Sequence, residues 1–254
     1  YHVVQNVEAF SFFDSIVGGG DGILYETAGE LGKGERVFIT AKLPDYIRVG
    51  RNDLIEQYLF LTTSHNGSGS ITAAFTPVRI VCQNTLNAAM RTNANGIKIK
   101  HTANAHDRLK QAHQLMGMTN QLGQEMEQLF NHWAKLRISD KQMKKLVQLA
   151  MAPNKEALEC IRTGEPFEQS TLFNNTVERV LEYAGSSPSQ QLETTKGNLF
   201  GVYNAVTGYF QNVREFKTEE AKLNSIMGGG AMNRAQATFD LCKDFAKIGV
   251  NALN

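Results

Sequence analysis

Cysteine is scarce in this chain and forms no pattern. Its three thiols, Cys82, Cys160 and Cys242, in 254 residues have no metal-ligand spacing, and an odd count fits a reducing compartment better than a disulfide framework. They read as ordinary packed thiols. Long hydrophobic runs are also missing: a stretch such as Tyr58 to Thr63 falls far short of the roughly 20 residues that a membrane helix needs. No charged-then-apolar leader opens the chain, so it is expected to be soluble and to have no membrane partner. The opening YHVVQN carries no Met and alternates like a strand already under way, so further N-terminal sequence is expected.

Acid is absent from one long window. The fifty residues 57–106 hold no Asp or Glu, while Arg79, Arg91, Lys98 and Lys100 lie among them. The net charge of +1 conceals this asymmetry, because acids gather in the second half in runs such as QEMEQ and KTEEAK. A chain that is neutral overall but locally free of acid has a candidate anion-facing surface, although buried strands also lack acids.

At 42% hydrophobic residues, the chain can bury a core without covalent staples. Asn6 and VEAFSFFDSIV carry the cap and apolar spacing of a short helix. ILYETAGELGKGERVFITAKLP reads as a hairpin closed by Pro44, and DLIEQYLFLTTSHNGSGSITAAFTPVRIVCQ as a second hairpin turning at Asn66-Gly67. NTLNAAMRT opens a helix, and GIKIKHT is one more short strand. From about Ala103 the period changes to 3.6 residues, and the only linker-like stretch is SSPSQQ at 186–191. Trp133, spaced with Leu129, Phe130 and Leu136, reads as a packing residue.

The expected fold class is therefore α+β: an antiparallel sheet built from two hairpins plus a short strand, with helices packed on one face and a helical C-terminal half. The sheet core occupies 1–102 and the helical half 103–254, packed as one continuous domain.

The strand RVFITAKL places Arg36, Phe38, Thr40 and Lys42 on one face and Val37, Ile39, Ala41 and Leu43 on the other. The next long strand puts Phe75 and Arg79 on one parity, and GIKIKHT sets Lys98 and Lys100 opposite Ile97 and Ile99. Arg36, Phe38, Lys42, Phe75, Arg79, Arg91, Lys98 and Lys100 are thus the candidate nucleic-acid-binding residues, with cations for the backbone and rings for stacked bases. A half-solvated antiparallel sheet would also show a polar outer face. Arg79 has two readings of its own: it could clamp a phosphate at a helix start near Asn84, with Lys98 or Lys100 nearby, or pair with a carboxylate from the acidic half.

No catalytic residue, metal site or cofactor site can be assembled. GELGKGE lacks the Ser or Thr of a phosphate loop and lies within a hairpin, and GGGDG lacks dinucleotide-binding spacing. His106 and His113 share a helix face but stand about 10 Å apart, too far for one metal. Asp14, Glu26 and Asp53 are scattered acids without a divalent-ion motif.

The stretches YHVVQNVEAFSFFD, YETAGELGKGERVFITAKLP, YLFLTTSHNGSGSITAAFTPVRIVCQNTLNAA, KIKHTA, GNLFGVYNAVTGYF and KLNSIMGGGAMNRAQ together resemble the phage/plasmid-like protein family that carries domain of unknown function 932. The signature loop is Ser64, His65 and Asn66, with Asn84 downstream. The family's loop more often reads SHDGS, so Asn66 replaces an acid here. The resemblance implies a role in mobile-element biology in the cytoplasm of a bacterial host. In architecture only, the element order resembles the core of RecT and Redβ-type single-strand annealing proteins, which build rings or filaments. The expected function is a non-enzymatic single-stranded DNA-binding or annealing protein acting as a homo-oligomer. The alternatives are an enzyme acting on nucleic acid or nucleotides, and an effector that binds a host protein.

Overall fold

A computed structural model describes residues 14, 17, 22–31, 34, 36–64, 72–79, 96–98 and 105–254. Within them the protein is α+β. Five antiparallel strands form a meander in the order β1 (Leu24–Leu31), β2 (Arg36–Val49), β3 (Asp53–Ser64), β4 (Thr72–Arg79) and β5 (Gly96–Lys98). Seven α-helices follow: α1 (Ala105–Lys135), α2 (Asp140–Met151), α3 (Lys155–Thr163), α4 (Thr171–Ser186), α5 (Leu199–Gly208), α6 (Glu219–Gly228) and α7 (Gly230–Ile248). Of the expected N-terminal helix only Asp14 and Val17 are described, and both are helical. The helix expected at NTLNAAMRT lies outside the described residues.

Both expected hairpins form, but β2 does not stop at Pro44. It runs on to Val49 and turns through Gly50, whose φ is +62°, directly into β3. The two hairpins thus share one continuous sheet. Pro44 is tolerated because the β2–β3 register shifts between Lys42 and Tyr46, and such an irregularity spares a proline the ladder bond that it cannot donate.

Helices begin where side chains can satisfy free backbone amides. Ser139 and Gln142 form a reciprocal capping box at α2, and Asn154, Ser170, Asn198 and Thr218 cap α3, α4, α5 and α6. Every residue of α5 is buried, as expected of a helix that is apolar all round. Trp133, with none of its surface exposed, packs beside Phe130, Tyr203 and Phe239. SSPSQQ is not a linker: Pro188–Gln190 form a 3₁₀ turn in which Ser189 and Gln190 are buried, and the Thr195 hydroxyl donates to the Ser189 carbonyl at 2.9 Å.

One core cluster joins sheet and helices. Ala41, Leu43, Leu59, Leu61, Ala73 and Phe75 from the sheet share it with Phe130, Trp133, Phe200 and Leu241. Helix α1 crosses the sheet on this face. A Cβ added at Gly123 would come within 2.6 Å of the Gln57 side-chain amide, so the Gln57 side chain occupies the space that glycine leaves on the helix. Further along the same stripe, Glu127 accepts from the Arg48 amide at 2.8 Å. One turn on, the Asn131 side chain accepts from Gly50 N at 2.9 Å and donates to the Arg48 carbonyl at 2.6 Å.

At the start of α5 the chain is equally tight, because a Cβ on Gly201 would lie 1.9 Å from the Thr195 carbonyl oxygen. Gly201→Ala is expected to cost about 3 kcal/mol or more, since backbone must move to admit the methyl group. Gly117→Ala, at an exposed α1 position with nothing within 4 Å, should instead raise stability by about 0.5–1 kcal/mol. Urea denaturation of the two variants, read as midpoint shifts of opposite sign, checks both.

Candidate functional site

The strand register sorts the residues expected to bind nucleic acid. One rung runs across the whole sheet through Gly29, Phe38, Thr62, Thr72 and Lys98, and the next holds Leu31, Arg36 and Ser64. Residues on a rung share a face. Arg36, Phe38, Lys42 and Lys98 therefore belong by register to the sheet face opposite the helices, with Arg36, Ser64 and Lys98 at one end.

That face is not the basic-aromatic platform expected. Phe38 retains only 6% of its surface, stacks on Phe60 at 5.7 Å between centroids and lies over Gly29, where a Cβ would come within 2.7 Å of the ring. Its solvent-facing assignment is corrected: the alternation within β2 holds, but Gly29 and Phe60 on the flanking strands enclose the ring. Lys42 is not free either, because its ammonium pairs with Glu56, which also accepts the Tyr58 hydroxyl at 2.6 Å.

Phe75 requires a second correction. It is 1% exposed and belongs to the main core, paired with Leu59. The parity that it shares with Arg79 is the helix-covered one. Arg79 lies opposite Ile55 at the far end of β4, seven residues from the Thr72 rung that pairs with Lys98, or about 23 Å along the strand. Arg79 and Lys98 therefore do not form one site. On its own face, Arg79 has the buried Asp53 as a diagonal register neighbour. The register thus brings an acid remote in sequence close to the strand position of Arg79. Arg91, Lys100, His65, Asn66 and Asn84 lie outside the described residues.

Two concavities were not foreseen. A cleft of about 900 Å³ opens between the β2–β3 turn, the end of α1 and the 192–194 segment, and is lined by Arg51, Asp53, Asn131, Lys135, Glu193 and Thr194 among others. Asp53, 6% exposed, accepts the Thr194 hydroxyl at 2.6 Å. The VGRND turn was the available signal, missed because the first hairpin was ended at Pro44. The second concavity, of about 320 Å³, carries Arg214 and Arg234. Among the described residues no group of three or more His, Cys, Asp or Glu could hold a metal ion, and no helix is long and apolar enough to cross a membrane.

The described residues thus define an α+β protein with a five-stranded antiparallel meander backed by helices. The chain belongs to the family of the domain of unknown function DUF932, whose model matches residues 1–227. No curated protein and no solved structure matches it.

The Lys42–Glu56 pair sets a pH dependence. Burial raises the Glu56 carboxyl, but bonds from the Lys42 ammonium and the Tyr58 hydroxyl outweigh it and hold the group below its ordinary value. A depressed carboxyl adds stability that is complete above the unfolded value, near 4.5, and is lost as pH falls through the folded one. Glu56→Gln should therefore be less stable than the wild type at pH 7, and the gap should close on acidification through and below pH 4.5. Thermal melts across that range check it.

Proposed function

We propose that this chain is a non-enzymatic single-stranded DNA-binding protein of the annealing type, carried by a phage or another mobile element. It works as a homo-oligomer in the cytoplasm of a bacterial host. It holds the strand through phosphates at one end of the sheet, where Arg36 and Lys98 occupy adjacent rungs. That register carries the reading. The two positions are three strand spacings apart, about 14 Å, enough to track a backbone across the sheet. The acid-free window 57–106 supplies β4, β5 and the last two thirds of β3, so little opposes an anion there. With Phe38 and Phe75 buried, base stacking on these rings has no part in the mode of binding.

Self-association is supported at the other edge. Strand β1 ends the described sheet and exposes 63% of Leu24, and a sheet edge with exposed apolar side chains is a template for another chain.

Binding to an unstructured oligothymidylate, measured across a salt series, tests the proposal. Affinity should fall steeply with salt, and Arg36→Ala and Lys98→Ala should each reduce the log–log slope by about 0.7 without changing the melting temperature. A slope that is flat in the wild type, or the same in both variants, would reject it.

A further inference from the structure

The smaller cavity, of about 320 Å³, lies where α2, α4, the turn after α5 and the start of α7 meet. None of its lining residues is acidic, yet it contains two arginines. Arg234 is half-buried, and its Nη1 donates to the carbonyls of Ala150 and Ala152 at 3.2 and 2.5 Å. This closes the C-terminal end of α2. The described residues offer its other N–H groups no acceptor, and burial pushes the guanidinium below its ordinary value. A desolvated charge is normally paired.

Arg214 is held differently. Its guanidinium carbon sits 5.4 Å from the Phe210 centroid and 5.0 Å from that of Phe216, so the rings fix its faces and leave the N–H edge available. Phe210 and Tyr209 belong to a π-helical turn, Tyr209–Val213, a departure from α-helix often found at functional sites. Among the described residues neither arginine forms an ion pair. Two unneutralised guanidinium groups facing one concavity call for an oxyanion, and the Phe173, Tyr209 and Phe210 walls call for an apolar body attached to it.

We infer that this cavity binds a nucleoside monophosphate, with Arg214 and Arg234 on the phosphoryl group and the aromatic walls on the base or sugar. Forked N–H donors suit phosphate oxygens, and a cavity of about 300 Å³ is at the lower end of ligand sites. The site is separate from the Arg36 and Lys98 end of the sheet and stands independently of the DNA-binding reading.

Isothermal titration with thymidine monophosphate, thymidine and inorganic phosphate tests it. The monophosphate should bind, thymidine about tenfold or more weaker, and inorganic phosphate should compete. Arg214→Gln, at an exposed position, should weaken the monophosphate about tenfold or more, whereas Arg36→Ala should leave it unchanged. Arg234→Lys keeps a donor for the α2 carbonyls but loses the fork, and should weaken binding with its circular dichroism spectrum intact. Displacement of the monophosphate by oligothymidylate would assign the phosphoryl group to a nucleic-acid chain, and lack of displacement to a free nucleotide; either supports a phosphoryl site. Equal binding of monophosphate and thymidine, no binding of either at millimolar concentration, or an unchanged affinity in Arg214→Gln would overturn the inference.

Discussion

The Asn131 side chain holds the two halves of the molecule together. Its amide completes the hydrogen bonding of the β2 end, taking the Gly50 N–H and giving to the Arg48 carbonyl, while Glu127 takes the Arg48 N–H. These backbone groups lie where β2 leaves the sheet, and each would cost about 1–3 kcal/mol if buried without a partner. Because Gly123, Glu127 and Asn131 are spaced by four, they share one stripe of α1. The helix thereby crosses from Gln57 on β3 at Gly123 to the end of β2 at Glu127 and Asn131. Phe130 and Trp133, on the same helix, then face α5 and α7. The position of the helical core relative to the sheet depends on this contact.

The same contact shapes the larger cleft. Asn131 and Lys135 form one wall, the Gly50–Leu54 turn a second and the 192–194 segment a third. The Thr194 bond to Asp53 closes the last two together. A Cβ at Gly50 would lie 2.8 Å from the Thr194 methyl group, so the turn needs glycine for space as well as for its positive φ.

The two sheet faces have different chemistry for one reason. On the helix side, aliphatic residues of β2, β3 and β4 meet α1. On the other, Phe38 and Phe60 stack beside the glycine of β1, and Lys42, Glu56 and Tyr58 form a compact polar group. A lysine in that group is already neutralised, and a ring in that stack has no free face. Among the described residues, cations able to meet an external anion therefore lie at the sheet ends or in the helical half, which holds Arg214 and Arg234.

The strands and the helical half were legible in the sequence because they rest on local signals, alternation in RVFITAKL and period 3.6 after Ala103, whereas boundaries such as the end of β2, read at Pro44 but reached at Val49, were not. The packing role of Trp133 was readable from the same periodicity. The fate of the polar-parity side chains was not. Phe38 looked solvent-facing because burial depends on neighbours across the strand, and Gly29 and Phe60 are nine and twenty-two positions away. Arg79 looked unpartnered because no acid lies within twenty residues, whereas the β3–β4 register brings Asp53 diagonal to it. Arg214 and Arg234 carried no signal at all, being twenty residues apart and lining one cavity only through the way α7 packs against α2 and α4. The sequence by itself determined the elements, since backbone preference and side-chain period are properties of a few consecutive residues. Which charges are neutralised and which rings are covered was decided only by the tertiary structure, because both are set by contacts between residues distant in the chain.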